Sequence, residues 1–499
     1  MASQTSKEDD IATKETSADH LSSPSSPERP LKLDRQGLPL VPQPTDHPSD
    51  PLNWPRTRRI YVALLVSLLA FTSQFSASLP NPSFNIIAED LGVSTTRASY
   101  TTTVWILFGG VAPLFLVPVA NVYGRRPLYV IGTLVACASN IGTAAAGSWG
   151  GVMTGRVFNG IASSIALGFG PAVICDMFVQ GERGLWIGIY TVSTTNGPHI
   201  SPIAGGYITE NISWRWTLWV PAIIQAGLWV VVLFTLPETL FSRKEFSRLE
   251  REASYVKRWF FPGRVLDRKI RMRDFFTAFR MTKYLAVVLP CIYYMTNNTY
   301  GSTIFAVTGA HITKTVYNFN PGQTGLFMGV PLTVGCLIGE FFSGWISDLL
   351  INAYAKRHNG YRKPEVRLWL LPWMTFLAIG TATYGYCIEN KKPWIDSAIT
   401  MAVSGLGSQV GTTVVYTYCT DSYKPQSGEL GAIINLFKSV FAFTIGFYAL
   451  DFSESSGYDV AFGILAMVNA ITMLPLIFLL FKGQRIREKQ GQPEDHNDL

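Results

Sequence analysis

The chain has 499 residues, 48% of them hydrophobic and only 15% charged, whereas an ordinary soluble domain carries about 25% charge. Much of the charge sits in two tails and one central loop, and in a membrane protein the net charge of +7 bears on topology rather than on nucleic acid. The six cysteines stand singly with no CxxC, which points to neither a zinc site nor a disulfide framework.

Residues 1–58 are polar and rich in Ser, Pro, Asp and Glu; such a segment cannot bury a core and is expected to be a disordered tail. It has no short apolar run with a cleavage site, so the first span is expected to act as the insertion signal. Apolar runs then recur, each long enough for a membrane helix. Twelve spans are predicted, at about 60–80, 99–119, 128–147, 151–175, 186–209, 216–236, 285–310, 324–346, 367–388, 395–418, 430–450 and 459–481. The basic loop 238–284 divides them into bundles at 59–237 and 285–482, and a tail follows at 483–499. The predicted fold is all-α: twelve transmembrane helices in two pseudo-symmetric six-helix bundles.

With both tails inside, the outer loops keep only Arg97, Arg215, Lys314, Lys391 and Lys392. Lysine and arginine favour the cytoplasmic side, so both termini are predicted to be cytoplasmic. This places Asn211-Ile-Ser213 outside as a glycosylation acceptor, unless it lies too close to the membrane to be modified.

The fifth span contains NGPHISPIAGG, Asn196 to Gly206. Pro198, Pro202 and Gly206 recur every four residues and share one helical face, with Gly197 and Gly205 beside it. Each proline leaves a carbonyl without its helical donor, and small residues permit close helix approach. The stretch therefore predicts a bent, tightly packed membrane helix.

Several motifs stand in order. Asp50-Pro-Leu-Asn-Trp54-Pro55 precedes the first span, and VANVYGRRP (Val119 to Pro127) follows the second. Arg156-Val-Phe-Asn159-Gly160 lies in the fourth and GPHISPIAGG in the fifth. Trp214-Arg-Trp216 and Leu236-Pro-Glu-Thr239 bracket the sixth. Gly344-Trp-Ile-Ser-Asp348 and Asp421-Ser-Tyr423 with Gly428-Glu429 echo the first half in the second. Together they resemble the major facilitator superfamily, and within it the fungal twelve-span drug:proton antiporters. The resemblance departs at Asn121, where the family usually carries Asp, and at Val117, where it usually carries Gly. It assigns helix packing and gating to Asn121, Gly124, Arg125, Arg126, Gly197, Pro198, Pro202, Gly205 and Gly206. The arginines read equally well as ordinary inside charges.

Ionisable groups within spans are costly and count as functional candidates. The resemblance makes Arg156 a proton-coupling candidate. Glu340 is a carboxylate well inside an apolar run, a proton carrier or a structural partner of a polar neighbour. Lys438 could answer Glu340, bind an anionic group, or pair statically. His199 could titrate near neutral pH or serve as a hydrogen-bonded packing residue. Gln74, Tyr293, Tyr294, Asn297, Asn298 and Gln409 form an aromatic and amide set suited to lining a cavity for amphipathic molecules, or to bonding helices together.

No Walker sequence, HExxH or GxSxG occurs, so neither an ATP motor nor an enzyme is expected. No metal or cofactor is expected. The resemblance implies a proton-driven exporter of drugs, toxins or a secondary metabolite at the plasma membrane, working as a monomer with protons, a small substrate and lipid as its partners. An importer of polyamine-like or other nutrients and a non-transporting sensor are the alternatives.

Overall fold

A computed structural model describes residues 43–48, 50–241, 270–358, 363–423 and 427–491. The chain divides into units Met1–Thr45 and Asp46–Leu499; only residues 43–45 of the first are described, and the described helices all belong to the second. Its long helices are α1 (Arg56–Ser78), α2 (Thr95–Tyr123), α3 (Arg126–Ala145), α4 (Trp149–Met177), α5 (Gln180–Asn211) and α6 (Trp216–Thr235). They continue as α7a (Leu285–Asn298) and α7b (Ile304–Tyr317), α8 (Pro321–Arg357), α9 (Leu371–Glu389), α10 (Trp394–Ser422), α11 (Ser427–Ser456) and α12 (Tyr458–Gln490). There is no strand among the described residues.

The helices form because apolar runs are punctuated by capping residues. Ser94 and Ser148 accept the N–H groups of Arg97 and Gly151 at the starts of α2 and α4. Asn320 and Gln323 cap α8 reciprocally, relieving donors that a helix N-terminus otherwise leaves open. Leu64, Phe115, Phe341, Trp345 and Phe481 are exposed on the outside of the bundle. Such apolar rims are what lipid, rather than water, accommodates. The chain is a multi-pass membrane protein.

Ten of the described helices are long and apolar enough to cross a membrane. The two expected spans outside that set are the fifth and seventh, and each has a local reason. α5 is 32 residues long, but its central prolines, glycines, Asn196 and His199 dilute its apolarity. The seventh span is continuous yet interrupted by a π turn at Thr299–Thr303. The expected tail boundaries also shift. A 3-10 turn at Pro51–Asn53 is capped by Asp50, with Asp50, Leu52 and Trp54 buried. Order therefore begins before residue 58, and α12 runs past 483 to Gln490. Residues 242–269 of the expected central loop lie outside the described residues, and 270–284 form the short helix Met272–Phe275 and a 3-10 turn Ala278–Lys283.

Packing repeats between the halves. α4 packs on α1, α2 and α3, α3 on α6, and α1 on α5; correspondingly α10 packs on α7a, α8 and α9, α9 on α12, and α7a on α11. The main contacts between halves are α5 on α8 and α2 on α11. Shifting each helix number by six exchanges these two contacts, as a pseudo-twofold axis through the bundle requires. Arg59 of α1 donates to the Met177 carbonyl, and Gln490 accepts from the Leu285 N–H. The start of α1 therefore lies with the end of α4, and the start of α7a with the end of α12. The face holding the start of α1 and the end of α12 is termed the terminal face, and the opposite one the far face.

Candidate functional site: a cavity between two bundles

A cavity lies between the halves. Gln74, Asn81, Trp105 and His199 contribute to its lining from the first half, and Asn298 and Lys438 from the second. Phe305, Met328 and Leu332 add apolar surface. Pockets of this kind, mostly apolar with a few polar groups, hold small organic ligands. No aspartate or glutamate lines it among the described residues. The ring of His199 and the ammonium of Lys438 have no hydrogen-bond or ion-pair partner among the described residues. The π turn beside Asn298 brings Ser302 and Thr303 to the wall, and Asn298 donates to Thr303 Oγ1 at 3.3 Å. π turns recur at functional sites in helices.

The cavity is closed toward the far face by the α5–α8 and α2–α11 crossings. A Cβ placed at Gly325 would lie 2.2 Å from the Pro202 carbonyl oxygen, and one at Gly206 would lie 2.3 Å from that of Pro321. The two backbones are therefore in contact, which only small residues permit. Glu210 accepts from the Asn320 amide at 2.9 Å and from the Gly322 N–H at 3.0 Å, sealing the crossing's end. At the other crossing a Cβ on Gly110 would collide with Ser439, the Tyr100 ring packs against Phe447, and Thr96 donates to Asp451 at 3.2 Å.

The α5 stretch works on two faces. Gly206 and Pro202 meet α8, while Gly197 and Gly205 meet α1, where a Cβ would strike Phe71 or Leu79 backbone atoms. Ser201 donates to the Pro198 carbonyl at 3.3 Å, the group left without a helical donor by Pro202. A glycine at 201 could not supply that hydroxyl.

Arg156 does not line the cavity. It is buried, and its guanidinium donates to the backbone carbonyls of Thr101 at 3.0 Å, Ser76 at 3.2 Å and Ala77. It forms no ion pair among the described residues. Three residues on, Asn159 accepts from the Trp105 indole at 2.8 Å and donates to the Ala136 carbonyl and to Ser139. Gly160 then packs beneath the Trp105 carbonyl. RVFNG is thus a brace binding α1, α2 and α3 to α4.

Glu340 also lies apart from the cavity lining. Its Oε2 accepts from Gln409 at 2.6 Å and from Thr413 at 2.9 Å, both on α10. It is not paired with Lys438, so the expectation that Lys438 answers Glu340 does not hold. Four of the six expected lining residues are occupied within the second half. Tyr293 donates to Asn297, Asn297 to the Ser408 carbonyl, Gln409 to Glu340, and Tyr294 stacks edge-on against Tyr416. Only Gln74 and Asn298 reach the cavity. Asn81, Trp105 and Asn435 are lining residues that the sequence reading missed. Asn435 was within reach of it, since it stands three residues before Lys438 on the same helical face.

On the terminal face the sequence motifs become matched ties within each half. Gly124, at φ 97°, ends α2 and turns the chain into α3, a conformation that favours glycine. Arg125 then pairs with Asp176 at the end of α4. Arg126 donates to the Leu233 carbonyl. Glu238, from LPET, accepts the N–H groups of Arg125 and Arg126, each at 3.0 Å, and so caps α3. Burial pushes its carboxyl above the ordinary range, against the pull of these donors. In the second half Arg367 pairs with Asp421 at 2.6 Å and with Asp348 at 3.3 Å, and Glu365 pairs with Arg487. The echo between Asp176 and Asp421 is therefore physical. The tie to the last helix of each half is reversed in sign, an acid on the α6 side and a base on α12. Asn121 has no hydrogen bond among the described residues. Asn211 is the exposed last residue of α5, donating to the Tyr207 carbonyl.

The sequence profile of the Major Facilitator Superfamily matches residues 66–358, more than half of the chain. The chain belongs to the Major Facilitator Superfamily. It is 30% identical over 455 residues to MFS transporter cpaT of Aspergillus oryzae, covering 89% of this chain and 90% of that one. It is 28% identical over 462 residues to MFS-type transporter penM of Penicillium rubens, covering 89% and 88%. Its fold is shared with the crystal structure of a bacterial homologue of the human lysosomal transporter Spinster in an inward-facing, unoccupied conformation. That match has a TM-score of 0.59 at 14% identity, over 88% of this chain and 100% of the other. This superfamily member is a transporter and not an enzyme.

Proposed function

We propose that the chain is a proton-coupled secondary transporter that exports small organic molecules across the plasma membrane. It works as a monomer with both termini cytoplasmic, driven by the proton gradient with no cofactor. The observation that carries the reading is a cavity lined by both halves, with the Glu210–Gly322 and Thr96–Asp451 ties between the halves on its far-face side. With the terminal face in the cytoplasm, a cavity reached from that face would load substrate from within. Rocking the halves about the cavity would exchange the crossings and release it outside. The α5 stretch supports export through its likeness to the antiporter motif. Glu340 is assigned as the proton carrier, because it is held by two neutral donors and has no basic partner among the described residues. Protonation would remove the charge from this α8–α10 tie, weaken it and loosen the helix that forms one crossing.

Inside-out vesicles with an acidic interior test this with a panel of neutral, cationic and anionic fluorescent compounds. Export predicts accumulation of at least one class, and its collapse when the gradient is dissipated. Uptake that requires proton entry in the same direction as substrate would overturn it in favour of import. Glu340→Gln is expected to remove the pH-driven component, while facilitated exchange persists. Full gradient-driven accumulation in this variant would remove Glu340 from the coupling role.

A further inference from the structure

We propose that the cavity selects amphipathic organic anions, carboxylates or enolates on an apolar or ring-bearing body, and that Lys438 is the residue that recognises their charge. This rests on the reading of the cavity as the substrate site and names the substrate class.

Lys438 stands on one face of α11 with Asn435 and Ser439, and all three line the cavity. It has no ion pair and no hydrogen bond among the described residues, and no carboxylate shares the wall. A half-buried ammonium without a counter-ion is costly. Side chains that bear such a cost in a membrane protein are mostly functional. A second observation points the same way. Asn81, almost wholly buried, accepts from Thr102 at 2.7 Å through Oδ1, and its Nδ2 donor has no partner among the described residues. The cavity therefore offers a cation on a wall without acids among the described residues, with a buried unpaired N–H group on one of its lining residues, beside the rings of Trp105 and Phe305. An anionic head on an apolar body satisfies both parts. A cationic substrate would meet Lys438 and find no carboxylate. Glu340 on α8 is engaged elsewhere by Gln409 and Thr413. Substrate charge and coupling proton therefore occupy different groups.

The test is equilibrium binding to the purified full chain, with no gradient, read by tryptophan fluorescence and calorimetry. The probes are 1-naphthylacetate, its methyl ester and 1-naphthylmethylammonium. The acid is expected to bind at least about tenfold more tightly than the ester, the size of a charge-assisted hydrogen bond, and the cation most weakly. Lys438→Gln is expected to abolish the preference for acid over ester while leaving ester affinity within about twofold. Lys438→Arg is expected to keep the preference. Equal or better binding of the ester or the cation by the unaltered protein overturns the proposal, whatever the variants do. So does an acid preference that survives in Lys438→Gln. Because no transport is measured, a failure of the export reading leaves these outcomes standing. Gradient-driven transport with no anion preference would do the reverse.

Discussion

Replacing Gly325 by leucine is expected to drive α5 and α8 apart at the far face and to reduce transport by at least about tenfold. Even a single Cβ at Gly325 would lie 2.2 Å from the Pro202 carbonyl oxygen and 3.1 Å from the Gly206 Cα. The obstacle is backbone, which cannot rotate aside as a side chain can. Overpacking of this kind costs about 1–3 kcal/mol. Transporter states differ by only a few kcal/mol, so such a cost is enough to redistribute them by about ten- to a hundredfold. The population should move toward conformers in which the far-face crossing is parted. Ser302→Cys, on the cavity wall, gives the readout. A membrane-impermeant maleimide applied to the far face should label it faster in the Gly325→Leu background than in the parent. Gly205→Leu is the matched control. It would strike Leu79 of α1 inside the same half, and so should lower thermal stability without opening the far face. If Gly325→Leu leaves both labelling and transport at parental rates, the α5–α8 contact does not close the cavity.

The fold was largely legible because membrane spans are written in long apolar runs. The exceptions follow from the same physics. α5 and the seventh span carry the prolines, amides and π turn that a working helix needs, and these lower the apolarity by which spans are recognised. The site was less legible. Near the centre of a membrane bundle, a polar side chain either faces the cavity or bonds a neighbouring helix, and the two look alike in sequence. Asn297 and Gln409 took the second course and Tyr293 bonds Asn297 on its own helix, while Gln74 and Asn298, of similar character and location, took the first. Asn81 sits in a Pro-Asn-Pro turn after α1, and nothing local marked its amide as buried and half-partnered. The terminal-face motifs were recognised by likeness. Their role appeared only when Arg125 met Asp176, Glu238 met the start of α3, and Arg367 met Asp421.

Arg156→Ala is expected to be the most destabilising of the substitutions considered, because its surroundings leave it a structural duty. The guanidinium reaches three backbone carbonyls near the far ends of α1 and α2 from a site on α4. Truncation would leave the Ser76 and Ala77 carbonyls, in the last turn of α1, buried and unpaired, at about 1–3 kcal/mol each, and would open a cavity where a large side chain had been. These losses are not additive, and a net cost on the order of 3–5 kcal/mol is expected. It should appear as a lower unfolding temperature of the detergent-purified protein. Arg156→Lys keeps the charge but not the planar fork of donors, so it should fall between the parent and the alanine variant. A proton-coupling role gives the opposite pattern. Arg156→Lys would then unfold at the parental temperature while the pH dependence of transport moved. Measuring both quantities on both variants separates a brace between helices from a group that tunes a proton.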